Sequence, residues 1–104
     1  MPKPKLGILL STPAEHPNLK TVLSLVEAAC QNHVDTYLYL LDEGTKTLDF
    51  IPVDRLSTAG LKLYVCAYGA QRYGVSQNDK AIFCGLVVLS DLIKACDRFI
   101  AFNE

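Results

Sequence analysis

Five short runs that are apolar at almost every position recur along the chain, and helical or crossover-length segments lie between them. The runs are Leu6-Gly7-Ile8-Leu9-Leu10, Tyr37-Leu38-Tyr39-Leu40-Leu41, Leu61-Lys62-Leu63-Tyr64-Val65, Ala81-Ile82-Phe83 and Phe99-Ile100-Ala101-Phe102. A strand with one face in water alternates apolar and polar residues; a strand that is apolar throughout is buried on both faces, as in parallel sheets with helices above and below. The pattern therefore predicts a three-layer α/β/α sandwich around a mostly parallel five-stranded sheet. At 104 residues the chain suits one domain spanning 1–104, with no repeat and no linker.

Within that frame the strands are expected at 5–10, 37–41 (led in by Asp35-Thr36), 61–66, 81–83 and 99–102. Ser11-Thr12-Pro13 and Asp42-Glu43-Gly44 end the first two. Apolar residues at 19, 22, 23, 26, 29 and 30 predict a helix over 19–33 with Asn18 as N-cap, and those at 86, 89, 92, 93 and 96 predict another over 86–96. Between Thr45 and Thr58 the pattern weakens and Pro52 bars a long helix, so a loop with one short helix near 53–57 is expected. Ala70 to Tyr73 reads as a turn or two of helix closed by Gly74.

Ten basic and eleven acidic side chains leave a formal charge of −1, which supplies no field for nucleic acid or an anionic bilayer. The apolar run after Lys3 and Lys5 is too short for a signal peptide, and no segment has the length of a membrane span. A cytoplasmic protein is the expectation. The cysteines at 30, 66, 84 and 96 match no CxxC-type zinc or redox spacing, and no structural disulfide is expected in such a compartment.

Each thiol is then judged by its surroundings. Cys30 falls on the apolar stripe of the first helix with Val22, Leu23 and Val26, and Cys96 follows Leu89 and Ile93 on the last, so both read as core packing. Cys66 and Cys84 instead end strands, on the edge where open α/β sheets bind ligands. Each precedes an expected helix start, whose free amides favour an anion and hence the nucleophilic thiolate. The alternative for both is a small residue filling a strand end, and Cys84, between Phe83 and Gly85, leans further that way.

If the first and third strands are neighbours, the Ser11–Asn18 loop brings His16 near Cys66 as a thiolate partner; otherwise His16 is a loop or capping residue. Arg72 supplies positive charge to Cys66 or is a solvated surface residue. Rival chemistries lack their residues. The loop Ser11 to His16 has only two hydroxyls beside Glu15, poor for a phosphate, and no GxGxxG, GxxxxGK[ST] or GxSxG occurs.

The stretch Leu63-Tyr64-Val65-Cys66-Ala67-Tyr68-Gly69-Ala70-Gln71-Arg72-Tyr73-Gly74-Val75 resembles the motif of the DsrE/TusD-like sulfur-relay family, where a hydrophobic strand ends in Cys and small residues, Arg and Gly-Val follow. Phe83-Cys84-Gly85-Leu86 and Asp97-Arg98-Phe99-Ile100-Ala101-Phe102 are similar to that family's ending. Tyr68, Gly69 and Tyr73 depart from the more usual Ala, Ala and Arg, and the region 45–61 is shorter than in a typical relay subunit. The resemblance implies a subunit of a trimer or hexamer that carries sulfur as a persulfide on Cys66 and exchanges it with donor and acceptor proteins. It implies no cofactor, because thiol exchange depends on thiolate fraction, leaving group and access. Cys84 is then a candidate second acceptor or resolving thiol. The alternative is a noncatalytic oligomer-building or partner-binding protein of the same fold, with Tyr37, Tyr39 and Tyr64 as aromatic anchors.

Overall fold

All five predicted strands form. The structure, a computed structural model, describes residues 2–104 and has strands β1 (Lys5–Leu10), β2 (Asp35–Leu40), β3 (Leu61–Cys66), β4 (Ile82–Cys84) and β5 (Arg98–Phe102). They make one sheet in the order β4-β3-β2-β1-β5, every neighbouring pair parallel. Helices α1 (Asn18–Gln31), α2 (Val53–Thr58), α3 (Ala67–Arg72) and α4 (Leu86–Ala95) cover it. None is long and apolar enough to cross a membrane.

Because side chains alternate along a strand, the apolar runs feed two cores at once. Ile8, Leu10, Leu38, Leu40, Leu63 and Val65 point to one face, where Val22 and Val26 of α1, Leu56 of α2 and Ala70 of α3 meet them. Leu9, Tyr37, Tyr39, Tyr64 and Cys66 point to the other, under α4 alone. The two covers are unequal. Leu92 is the one buried residue of α4, with Val88 and Leu89 half-buried beside it, whereas Leu86 and Ile93, expected on the packed stripe, are exposed. A ten-residue helix cannot shield a five-stranded sheet, so part of its apolar surface has nothing to pack on.

Three local expectations change. Asn18 is the first residue of α1 rather than its cap; Pro17 holds the cap position. The expected loop after Thr45 is largely a 3₁₀ helix, Asp42–Phe50, ahead of α2. Its tight turns are held by threonines donating to carbonyls three residues back: Thr45 Oγ1 to Asp42 O at 2.8 Å and Thr47 Oγ1 to Gly44 O at 2.7 Å. An i to i+3 helix leaves no 3.6-residue apolar period, which is why the pattern faded there. Finally, α4 ends at Ala95, and Cys96 caps it in an extended conformation rather than continuing its stripe.

Candidate functional site: two thiols and a phenol under the last helix

Cys66 is the last residue of β3 and Cys84 the last of β4, and the two are direct partners in the parallel register. Both side chains therefore leave the sheet on the same face, the α4 face, at the C-terminal edge where the chain turns into helices. Tyr39 joins them from β2. It is fully buried, and its hydroxyl donates to Gly85 O at 3.0 Å, with Cys84 O at 3.5 Å, so the ring reaches beneath the strand ends. A buried tyrosine needs a partner for its hydroxyl, which the Gly85 carbonyl supplies, and the side chain packs in one cluster with Cys66 and Cys84.

Cys66 also starts α3. Its sulfur accepts the Gly69 amide at 3.4 Å, the bond an N-cap side chain makes to the third helical amide. That cap explains why α3 begins at Ala67, three residues before the expected turn at Ala70. Gly69 itself is pressed against the 3₁₀ helix: a Cβ there would lie 3.1 Å from Thr45 Cγ2 and 3.3 Å from Asp42 N.

The thiols differ in access. Cys66 is 3% exposed beneath α4, while Cys84, on the edge strand, is half-buried. Burial pushes the Cys84 thiol up from its ordinary value; the Tyr39 hydrogen bond partly offsets this, and negative charge on Cys66 adds to it. Tyr39 is held far above a free tyrosine, first by burial and then by the two thiols. Tyr64 is raised by burial, then by Tyr37, Cys84 and Cys96, and Cys96 is raised by burial, with Lys5 opposing.

All four shifts have one sign, which fixes a pH dependence. A group whose folded value lies above its unfolded one stabilises the fold below the unfolded value and loses that contribution as pH rises toward the folded one. Unfolded cysteine titrates near about 8.5 and tyrosine near about 10. Urea midpoints should therefore be insensitive to these groups up to about pH 8 and fall above it; a midpoint that rises between pH 8 and 10 would contradict the burial of the cluster.

Two other sequence candidates lie elsewhere. β2 stands between β1 and β3, so the adjacency that would bring His16 to Cys66 does not exist. His16 instead accepts the Asn18 amide on Nδ1 at 3.1 Å, caps the start of α1, and lines a groove with Leu19, Leu23 and Glu27. Arg72 is exposed, with its guanidinium 5.3 Å from the centre of the Tyr73 ring. The sequence offers Tyr39 only as an aromatic anchor; the signal for a place in the site is a phenol inside a fully apolar run.

Cys30 packs against the α1 side of the sheet, and Cys96 sits beside Asp97, whose amide donates to Lys5 O at the opposite end of the strands. Only Cys66 and Cys84 share the C-terminal edge.

No protein-family model matches the chain, and no curated protein matches it in sequence. Among solved structures, the ychN protein from E. coli superposes with a TM-score of 0.78 over 97% of this chain and 100% of that one, at 16% identity. At that identity the likeness shows a shared fold, a single α/β domain built on an all-parallel five-stranded sheet flanked by helices.

Proposed function

We propose that this chain, on its DsrE-like fold, is a cytoplasmic sulfur carrier whose Cys66 holds sulfur as a persulfide and hands it to a partner protein. The thiolate of Cys66 attacks the terminal sulfur of a donor persulfide, R–S–SH. A Cys66–S–SH bond forms and the donor leaves as its thiolate, R–S⁻, so no external oxidant or cofactor is consumed. The observation that carries this reading is the placement of Cys66 at the end of a parallel strand, beside a second thiol and a phenol.

The chemistry asks for access that the closed cover limits, since Cys66 is 3% exposed. α4 is the element that must shift, and it is seated by one buried residue, Leu92. The noncatalytic reading draws on the same burial, together with exposed Leu86 and Val87, at 58% and 75%, which offer an apolar surface to a second copy of this chain. Self-assembly is compatible with both readings and belongs to the proposal.

Inorganic polysulfide serves as donor in the test, with intact mass spectrometry as the readout. At the earliest times after mixing, wild-type protein should carry added sulfur at Cys66, and Cys66→Ser should lack it. If Cys66→Ser gains sulfur as readily as wild type, or if native Cys66 is untouched by polysulfide, the noncatalytic reading replaces the carrier. Native mass of the same preparation reads the assembly, and a monomer at micromolar concentration refutes it.

A further inference from the structure

Cys66 and Cys84 are more than two thiols on one edge. Paired positions on adjacent strands lie about 4.8 Å apart, inside the roughly 4.4–6.8 Å between Cα atoms that a disulfide spans, and these two side chains leave the sheet on the same side. We propose that they form a dithiol–disulfide couple in which Cys84 is the resolving thiol of Cys66. In its persulfide step the inference rests on the carrier reading; the couple itself does not.

The step balances without an added oxidant, because the persulfide is the oxidant. The Cys84 thiolate attacks Sγ of Cys66–S–SH, the bond between the two Sγ atoms forms, and the bond to the outer sulfur breaks. Hydrosulfide, HS⁻, leaves with the electron pair. Cys84 Sγ is oxidised from the thiolate to the disulfide level, Cys66 Sγ stays at that level, and the outer sulfur is reduced to sulfide. Two equivalents of a small thiol return the pair to the dithiol. The first attacks the Cys84 sulfur, since Cys66 is covered, and the second releases the mixed disulfide.

The exposure gradient gives the couple a direction. The inner thiol carries, and the outer one ends the carrying when no acceptor arrives. Tyr39 packs in the same cluster as both thiols, and its hydroxyl donates to the Gly85 carbonyl next to Cys84. Cys30 and Cys96 provide internal controls, one on the other face of the sheet and one at its other end.

Two arms of one experiment separate this inference from the carrier reading. In the first, native protein is oxidised with diamide, alkylated and mapped without reduction. The expected result is a monomeric product lighter by two hydrogens, with a peptide linking Cys66 to Cys84 while Cys30 and Cys96 remain alkylatable. Linkage through Cys30 or Cys96, or free Cys66 and Cys84 after oxidation, overturns the couple. In the second, polysulfide-treated wild type should release hydrosulfide and form the same linkage, whereas Cys84→Ser should stop at the persulfide, with hydrosulfide release reduced about tenfold or more. A wild-type persulfide as long-lived as that of Cys84→Ser overturns the resolving step and leaves the carrier standing. Absence of sulfur on Cys66 in both proteins overturns the carrier and the resolving step together, and the diamide arm still decides the couple.

Discussion

Gly44→Ala should destabilise the protein at or beyond the upper end of the roughly 1–3 kcal/mol that overpacking usually costs. A Cβ at Gly44 would stand 2.0 Å from the carbonyl oxygen of Leu10 and 2.7 Å from its carbon. These are backbone atoms, and they are pinned: Leu10 O accepts the Leu41 amide at 2.9 Å, and Leu10 is bonded into the sheet between β2 and β5. A rotamer change cannot relieve the clash. The 3₁₀ helix would have to lift from the end of β1, taking buried Thr45, Thr47 and Leu48 with it. Gly85→Ala is the matched control, since nothing lies within 4 Å of its would-be Cβ. Urea unfolding should give a sharply lower midpoint for Gly44→Ala at unchanged slope, and little change for Gly85→Ala. Equal midpoints for the two would mean that the 3₁₀ helix does not rest on β1.

The same contact shows where sequence reading reaches its limit. The strands and α1 were legible because burial on one or two faces imposes a period on the chain itself, as Leu19, Val22, Val26 and Ala29 do along α1. The 3₁₀ helix was not, because two threonine hydroxyls and a glycine under a carbonyl hold it rather than an apolar stripe. Strand order was not legible either. Nothing in the composition of β1 or β3 states that β2 lies between them, and the pairing of His16 with Cys66 depended on that order. Cys66 and Cys84 could each be singled out by a strand end, yet their being partners follows from register, which is set by how the 15-residue connection between β3 and β4, residues 67–81, packs. The apolar period of α4 was correct as a helix signal and incomplete as a burial signal, because a stripe says which residues avoid water and not whether the opposing surface is wide enough to receive them.

Tyr39 joins the fold to the chemistry, and two substitutions pull those roles apart. Tyr39→Ala removes the largest fully buried side chain from the central strand and should cost about 3–5 kcal/mol, the range for deleting a buried aromatic ring. Tyr39→Phe keeps the ring and removes only the hydroxyl, so the loss should be about 1 kcal/mol, that of one hydrogen bond with the Gly85 carbonyl left seeking another donor. The Phe variant nevertheless changes the site. Burial raises the Cys84 thiol and the Tyr39 hydroxyl partly counters it, so removing the hydroxyl moves Cys84 further up. At fixed pH less thiolate is present, alkylation of Cys84 slows, and its pH profile shifts to the alkaline side. If Cys84 of Tyr39→Phe is alkylated at the wild-type rate across the profile, the phenol is packing alone. If the profile moves while the urea midpoint barely does, the hydroxyl tunes the outer thiol, and resolution of the Cys66 persulfide should slow with it, because thiolate Cys84 is the attacking species.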